Sequence, residues 1–153
     1  MKFFANNFAI ANISGSKDYP TIRGKVSFIQ RKNSVLVMAN IHGLPYSKEK
    51  CKEDILAFHI HEGESCDGSI KEPFSETKGH YNPQGCPHPY HPGDMPPLFS
   101  NSGYAFLSFL TDRFSVDEII GKTVVIHKGT DDFRSQPSGD SGEKIACGEI
   151  SQQ

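Results

Sequence analysis

The chain has 153 residues, with 16 Lys and Arg against 18 Asp and Glu and no long run of either sign. A chain of this length buries roughly 70% of its unfolded surface, so we expect residues 1–153 to form a single domain with its own core. The balanced charge argues against nucleic-acid partners and basic membrane-binding faces, and no stretch of about 18 apolar residues predicts a membrane-spanning helix.

Alternation of apolar and polar residues predicts β-strands along most of the chain. FAIANI (8–13) is followed by TIRGKVSFIQ (21–30), in which Ile22, Val26 and Phe28 share one face. Segments rich in β-branched and aromatic residues continue the pattern at 34–43, 56–63, 103–110 and 122–129. Ser115 and Glu118 have the spacing of a capping box and predict one short helix. An all-β fold, an antiparallel sandwich or barrel, follows.

Two long segments lack any strand pattern. Residues 64–97 are rich in Gly, Pro, Ser, His and Cys, and residues 128–143 are polar and turn-prone. Loops longer than about 12–15 residues in a compact domain usually carry function or are disordered. Both segments are therefore candidates for a functional role.

Six of the seven histidines lie at or between the ends of the first loop, or on one later strand. His59 and His61 point to the same face of a strand because side chains alternate, and His127 emerges from another strand. An HxH pair alone is weak evidence for a metal, but the loop adds a second, dense cluster: His80, His88, His91 and Asp94. The all-nitrogen strand set fits copper, and the loop set with its carboxylate fits zinc.

The motifs FHIHEG, GHYNP, HPGD, VVIHKGTDD and KIACGEI stand in order along the chain. In order and approximate spacing they resemble the copper/zinc superoxide dismutase family from FAIANISG onward. The resemblance implies a Greek-key antiparallel β-sandwich or flattened barrel of about eight strands, with a long metal-binding loop and a polar electrostatic-type loop. It also implies an antioxidant oxidoreductase that converts superoxide to O2 and H2O2 by cycling Cu2+/Cu+, with Cu and Zn as cofactors.

Carried over residue by residue, the resemblance implies two metal sites that share a bridging histidine. The copper ligands are expected at His59, His61, His80 and His127. The zinc ligands are expected at His80, His88, His91 and Asp94. His80 is also expected to deliver a proton during catalysis, because its bond to copper breaks in the reduced state of the family.

The resemblance implies an aspartate that links the two sites from outside the ligand sets. Asp131 matches it, in preference to Asp132, and is expected to join His59 to His88. Such outer partners fix the tautomer and orientation of metal-binding histidines.

The four cysteines divide into two pairs. The resemblance implies an intrasubunit disulfide between Cys66 and Cys147. Cys51 and Cys86 have no counterpart in the family, so a second bridge and two free thiols are both open, and metal capture by the Cys86 thiolate is a minor alternative.

The chain departs from the family at the position three residues before Cys147, where an arginine is usual and Lys144 stands. Because lysine is a mobile point charge and arginine a planar fork, we expect Lys144 to attract superoxide and to orient it less well. Arg134 could supply part of the guanidinium function, but a solvated surface position is expected for it. Lys144, Lys128 and Arg134 are expected to flank the mouth of the site and steer the anion.

A second departure is the spacing of His88 and His91, which are three positions apart and separated by more residues in the family. Pro89 and Pro92 restrict this turn further. We expect an altered zinc geometry or the displacement of one of these histidines.

Two alternatives to an efficient dismutase stay open at the level of the sequence. One is a copper/zinc-binding protein of the same fold with weak or no turnover, and the other is a structural sandwich with zinc in both sites. Superoxide is the expected partner, with no nucleic acid or membrane, and a homodimer is an open alternative to a monomer. The N-terminus is a poor secretory signal, which predicts a cytoplasmic location as the sequence stands and an extracytoplasmic one if a signal has been removed.

Overall fold

A computed structural model describes residues 7–52 and 54–153. The N-terminal segment that was predicted to be a poor secretory signal is thus mostly described, but its first six residues lie outside this range. Within the described residues there are nine strands, one α-helix and one 3-10 turn, Ser75–Thr77. The strands are β1 (Phe8–Gly15), β2 (Arg23–Gln30), β3 (Val35–His42), β4 (Ile55–Leu56), β5 (Phe58–His61), β6 (Leu98–Phe99), β7 (Ala105–Thr111), β8 (Thr123–His127) and β9 (Lys144–Gln152), and the helix is α1 (Val116–Ile119).

Seven strands form one curled antiparallel sheet in the order β5-β8-β9-β1-β2-β3-β7, and β4 pairs with β6 in a second, small sheet. Neighbours such as β1 with β9 and β3 with β7 are distant in sequence, so long connections cross between the two edges of the sheet. The predicted all-β sandwich is confirmed. The capping-box residues also begin the helix as predicted, because the Ser115 backbone N–H donates to the Glu118 carboxylate (2.6 Å).

Strand alternation divides the sheet into a core face and an outer face. Val26 and Phe28 on β2 are fully buried in the core cluster, as their spacing predicts. On β5, Phe58 and Ile60 enter the same cluster. The remaining β5 residue positions therefore direct their side chains to the opposite face, towards the two long loops.

Strand β9 was not predicted from alternation. Its burial pattern explains why, since Ile145, Ala146, Cys147 and Gly148 are buried consecutively rather than alternately. A strand covered on both faces has no period of two to recognise.

The Cys66–Cys147 disulfide joins the first long loop to β9 across 81 positions of the chain. Cys51 and Cys86 are free thiols, so the alternative of a second bridge is wrong. No helix in residues 7–52 or 54–153 is long and apolar enough to cross a membrane.

Candidate metal centre

Antiparallel pairing of β5 with β8 brings three histidines to one face of the sheet. His59 lies opposite Val125, and His61 lies opposite Thr123, so these residues share a face. His127 is two positions beyond Val125 and points the same way. A fourth histidine arrives from the loop, where His80 forms a β-bridge with His61. The ligand atoms of this four-histidine group (His59, His61, His80 and His127) all lie within 4.8 Å of one another, and all four residues are buried.

A second group lies beside the first and shares His80 with it. This mixed group consists of His80, His88, His91 and Asp94, again with all ligand atoms within 4.8 Å. His80 Nδ1 lies 2.8 Å from Asp94 Oδ1 and 3.2 Å from His91 Nδ1. His88 Nδ1 lies 3.0 Å from Asp94 Oδ2. The structure thus brings together every ligand that the sequence predicts, in two groups joined through one imidazole.

The hydrogen bonds of the four-histidine group leave its inner nitrogens without hydrogens. His61 Nδ1 donates to the carbonyl of Lys78 (2.8 Å), and His127 Nδ1 donates to the carbonyl of Gly142 (3.1 Å). The other nitrogens of these two neutral rings, both Nε2, are 3.1 Å apart. Two lone pairs at this distance repel each other unless a cation lies between them.

Further ring nitrogens are buried without a hydrogen-bond partner. Among the described residues these atoms are His59 Nδ1, His80 Nε2 and His88 Nδ1. An unsatisfied buried polar atom costs roughly 1–3 kcal/mol. Although His88 Nδ1 is near Asp94 Oδ2, the two atoms lack hydrogen-bond geometry, as expected of two groups directed at a common ion. The donor sets fit the implied metals: nitrogen alone for copper, and nitrogen with carboxylate for zinc.

Burial keeps the strand histidines neutral. It lowers the pKa of His59 to about 4 and that of His127 to about 3, from an ordinary value of 6.5. Burial, with His127 close by, also holds the pKa of His61 well below 6.5. Neutral imidazoles keep a lone pair for a metal at pH 7, so no proton has to be displaced on binding.

Asp131 connects the two groups from outside. Its carboxylate accepts from His59 Nε2 (2.7 Å) and from His88 Nε2 (2.8 Å). Burial alone would raise the pKa of Asp131, but these two hydrogen bonds outweigh it and hold that pKa well below its usual range. Asp132, by contrast, accepts only from residues of its own loop, Arg134 and Ser135, among the hydrogen bonds described for it.

Hydrogen bonds hold Lys144 in place, and its expected role of attracting superoxide but orienting it less well than arginine stays a prediction. Its ammonium donates to Thr77 Oγ1 (2.8 Å) and to the carbonyl of Lys78 (2.9 Å). The same carbonyl accepts from His61, so one oxygen orients a histidine of the four-histidine group and the lysine together. Burial lowers the pKa of Lys144 from its ordinary value of 10.5. Arg134 is exposed, as expected of a solvated arginine.

The short turn between His88 and His91 keeps both rings in the mixed group, and neither is displaced from it. Two side chains that the sequence did not indicate hold this turn. Arg113 donates to the carbonyls of Pro89 (3.1 Å) and His91 (3.4 Å), and Gln136 is hydrogen-bonded to the His88 backbone. Cys86 belongs to neither group, although its backbone is held nearby by Asn82.

Comparison with known proteins points to one family. A family model described as copper/zinc superoxide dismutase matches residues 22–150. Superoxide dismutase [Cu-Zn] 2 of Aquifex aeolicus (strain VF5) is 36% identical over 143 residues, which cover 83% of this chain and 78% of that protein. Superoxide dismutase [Cu-Zn] 1 of the same organism is 34% identical, covering 83% and 79%, and the extracellular superoxide dismutase [Cu-Zn] of Rattus norvegicus is 32% identical, covering 85% and 55%. With its paired histidine groups, the chain belongs to the copper/zinc superoxide dismutase family.

Proposed function

We propose that in this superoxide dismutase the four-histidine group binds copper and the mixed group binds zinc, with His80 in both. The observation that carries the assignment is the pattern of unpaired nitrogens. His80 turns Nδ1 to the mixed group, and its Nε2 is buried without a hydrogen-bond partner. An imidazole with one nitrogen turned to each group would hold an ion on either side.

Bound copper supplies the electron transfer, by which one superoxide becomes O2 and another becomes H2O2. The residues of the chain supply binding, orientation and protons. Formation of H2O2 takes up two protons, and we assign the delivery of one of them to His80 Nε2, which would carry that proton only while it is not bound to copper. Asp131 and the carbonyls of Lys78 and Gly142 keep the other rings in the tautomer that leaves a lone pair directed inwards.

Lys144 attracts the anionic substrate. Its ammonium is half-buried and connected to His61 through a single carbonyl oxygen, so its charge lies beside the four-histidine group. Lys128 is more exposed and pairs with Glu143 at 3.7 Å, so we assign it a smaller part in steering.

The alternative of a metal-binding protein with weak turnover is not favoured. It was motivated by Lys144 and by the short zinc turn. Lys144 is anchored by Thr77 rather than mobile, and both histidines of the turn reach the mixed group.

Reconstitution with Cu2+ and Zn2+ tests the assignment. We expect one copper and one zinc per chain with rapid superoxide consumption, and we expect His61→Ala to lose copper and activity while retaining zinc. Copper bound at full stoichiometry without turnover would support the weak-turnover alternative. Retention of copper by His61→Ala would contradict the ligand assignment.

The location and assembly of the protein are also proposals. The Cys66–Cys147 disulfide supports an extracytoplasmic location, because disulfides persist in oxidising compartments. Homodimer formation and the absence of nucleic-acid or membrane partners stay predictions, which sedimentation and binding assays would check. A single domain over residues 1–153 is supported by one core cluster that draws on residues from Ala9 to Ile150.

A further inference from the structure

The ligands of the mixed group differ in what holds their backbones. His91 and Asp94 are tied to each other, because the His91 N–H donates to Asp94 Oδ2 (3.1 Å) and the Asp94 N–H donates to the His91 carbonyl (3.0 Å). These bonds are local and come with the turn itself. His88 has no such local partner within the described residues, since both of its backbone hydrogen bonds are made with Gln136.

Gln136 binds His88 much as a neighbouring strand would. Its side-chain Oε1 accepts from the His88 N–H (2.9 Å), and its Nε2 donates to the His88 carbonyl (2.8 Å). Nε2 also donates to the carbonyl of Arg134 (3.1 Å), which fixes the amide against its own loop. The amide therefore pairs both backbone groups of one residue that is 48 positions away in the chain.

The contact of Asp131 with His88 does not replace this clamp. Asp131 accepts from the ring nitrogen Nε2 and so orients the ring, but one hydrogen bond leaves the backbone free to shift. Gly139 shows how closely the loop approaches, because an added Cβ there would overlap Asp131 Oδ1 and would lie 2.7 Å from His88 Nε2. A small displacement of His88 would thus disturb the ring, the carboxylate and the loop together.

We propose that Gln136 is a positioning residue for the zinc site, whose side-chain amide sets the place of His88 and so offsets the short connection between His88 and His91. The inference rests on the proposed assignment of the mixed group to zinc. Among its described hydrogen bonds, the Gln136 side chain meets only backbone atoms, of His88 and Arg134, and no ring nitrogen. It acts through the backbone of one ligand, and its removal affects that ligand more than the locally tied pair His91 and Asp94.

The test uses the copper- and zinc-loaded protein and two variants, Gln136→Met, which keeps the length of the side chain without its hydrogen bonds, and Gln136→Ala. Zinc release to a chromophoric chelator is followed at constant pH, together with copper retention. We expect zinc release about 10–100-fold faster in both variants, the range found when partners outside a ligand set are removed, with a smaller change in copper release. If one variant fails to fold, the other carries the test.

A geometric readout separates positioning from general loss of stability. With Co2+ in place of zinc, the visible spectrum reports ligand geometry, and we expect its bands to shift in the Gln136 variants. Gln30→Ala is the matched control, because the Gln30 amide also clamps backbone, accepting from the Val116 N–H (2.9 Å) and donating to the Arg31 carbonyl (2.8 Å), and its described hydrogen bonds reach neither group. It is expected to leave zinc release and the Co2+ spectrum unchanged.

Two outcomes distinguish failure of the positioning role of Gln136 from failure of the assignment of the mixed group to zinc. If His88→Ala loses zinc while both Gln136 variants release it at the rate of the intact protein with an unchanged Co2+ spectrum, the positioning role of Gln136 is wrong. If His88→Ala itself keeps zinc as firmly as the intact protein, the zinc assignment is wrong. A Gln30→Ala protein that releases zinc as fast as the Gln136 variants would also overturn the positioning role, since it would show a general effect of stability.

Discussion

The two halves of the metal centre are built in different ways. In the four-histidine group, His59, His61 and His127 lie on paired strands of the main sheet, and the register of β5 against β8 fixes their separation. In the mixed group, His88, His91 and Asp94 lie in a loop. His88 is held by the side chain of a distant residue, Gln136, whereas His91 and Asp94 are tied by local hydrogen bonds to each other. The first half depends on backbone pairing shared by the whole sheet, and the second depends on a few contacts that a single substitution removes.

The largest expected effect on superoxide consumption comes from removing a ligand on a strand. Removal of a ligand in the loop is the comparison. We expect His127→Ala to lose copper and to lower superoxide consumption by more than about 100-fold, because the rigid strands bring no replacement donor to the vacated position. We expect His91→Ala to weaken zinc binding while copper and most of the activity persist, with a decrease of less than about tenfold. For comparison, loss of a residue that hydrogen-bonds a metal ligand from outside the ligand set costs about 10–100-fold in metal affinity or activity.

Metal content and superoxide consumption at saturating metal measure this difference. Unchanged secondary structure by circular dichroism is the control for folding. Equal loss of activity and of both metals in the two variants would show that the halves are not separable, and the comparison between strand and loop would be wrong.

Asp131 joins the halves, so its removal is expected to affect both. In Asp131→Asn one carboxylate oxygen becomes an amide that cannot accept from an imidazole N–H, and either His59 or His88 loses its partner. We expect about 10–100-fold weaker metal binding overall, with zinc affected more because His88 lies in the loop. Competition titrations with each metal measure the two losses.

Asp132→Asn is the matched control for that change. Asp132 is the adjacent, exposed aspartate, and the hydrogen bonds described for its carboxylate come only from residues 134 and 135. We expect its variant to bind both metals as the intact protein does. Copper and zinc affinities that fall equally in Asp131→Asn would argue that the loop half is as rigid as the strand half.

The sequence predicts the four-histidine group, built on strands, better than the mixed group, built in a loop, and the reason is physical. The HxH spacing of His59 and His61 has one meaning on a strand, and antiparallel pairing adds His127 to the same face. Thr77, Arg113 and Gln136 carry no comparable signal, because each acts through hydrogen bonds to residues far along the chain or to backbone atoms.

The anchoring of Lys144 could not be predicted, for the same reason. A lysine was expected to be mobile from its own chemistry, but the ammonium meets Thr77 and the carbonyl of Lys78, which the folded loop brings to it. The disulfide and Asp131 could be predicted only through the resemblance to a family, because nothing in the spacing of Cys66 and Cys147 specifies a pair.

Removal of the anchored charge is expected to have an intermediate effect. We expect Lys144→Met to lower the rate of superoxide consumption by about tenfold at low salt and to flatten its dependence on ionic strength, because a steering charge is lost. The control is Lys128→Met, since Lys128 is exposed and paired with Glu143, and its effect is expected to be smaller. Rate constants measured over a range of salt concentrations decide between them, and equal effects would contradict a special role for Lys144.

The smallest expected effect tests whether the loop residue that holds Lys144, as well as the charge of Lys144, contributes to the rate at the four-histidine group. Lys144 begins β9 and lies opposite His127 in register, but its ammonium is fixed by Thr77 Oγ1 in the loop. Thr77→Val keeps the shape of the side chain and removes its hydroxyl, so the ammonium keeps its charge and loses one of the acceptors that hold it. Because a hydrogen bond to a charged group contributes about 1.5–3 kcal/mol, part of which the Lys78 carbonyl still supplies, we expect a decrease of about two- to fivefold in rate. The salt dependence should stay as steep as in the intact protein, and Thr77→Ser should restore the rate. A flattened salt dependence in Thr77→Val would show that the lysine charge itself had left the site. An unchanged rate would show that Lys144 attracts superoxide equally well without the hydrogen bond to Thr77.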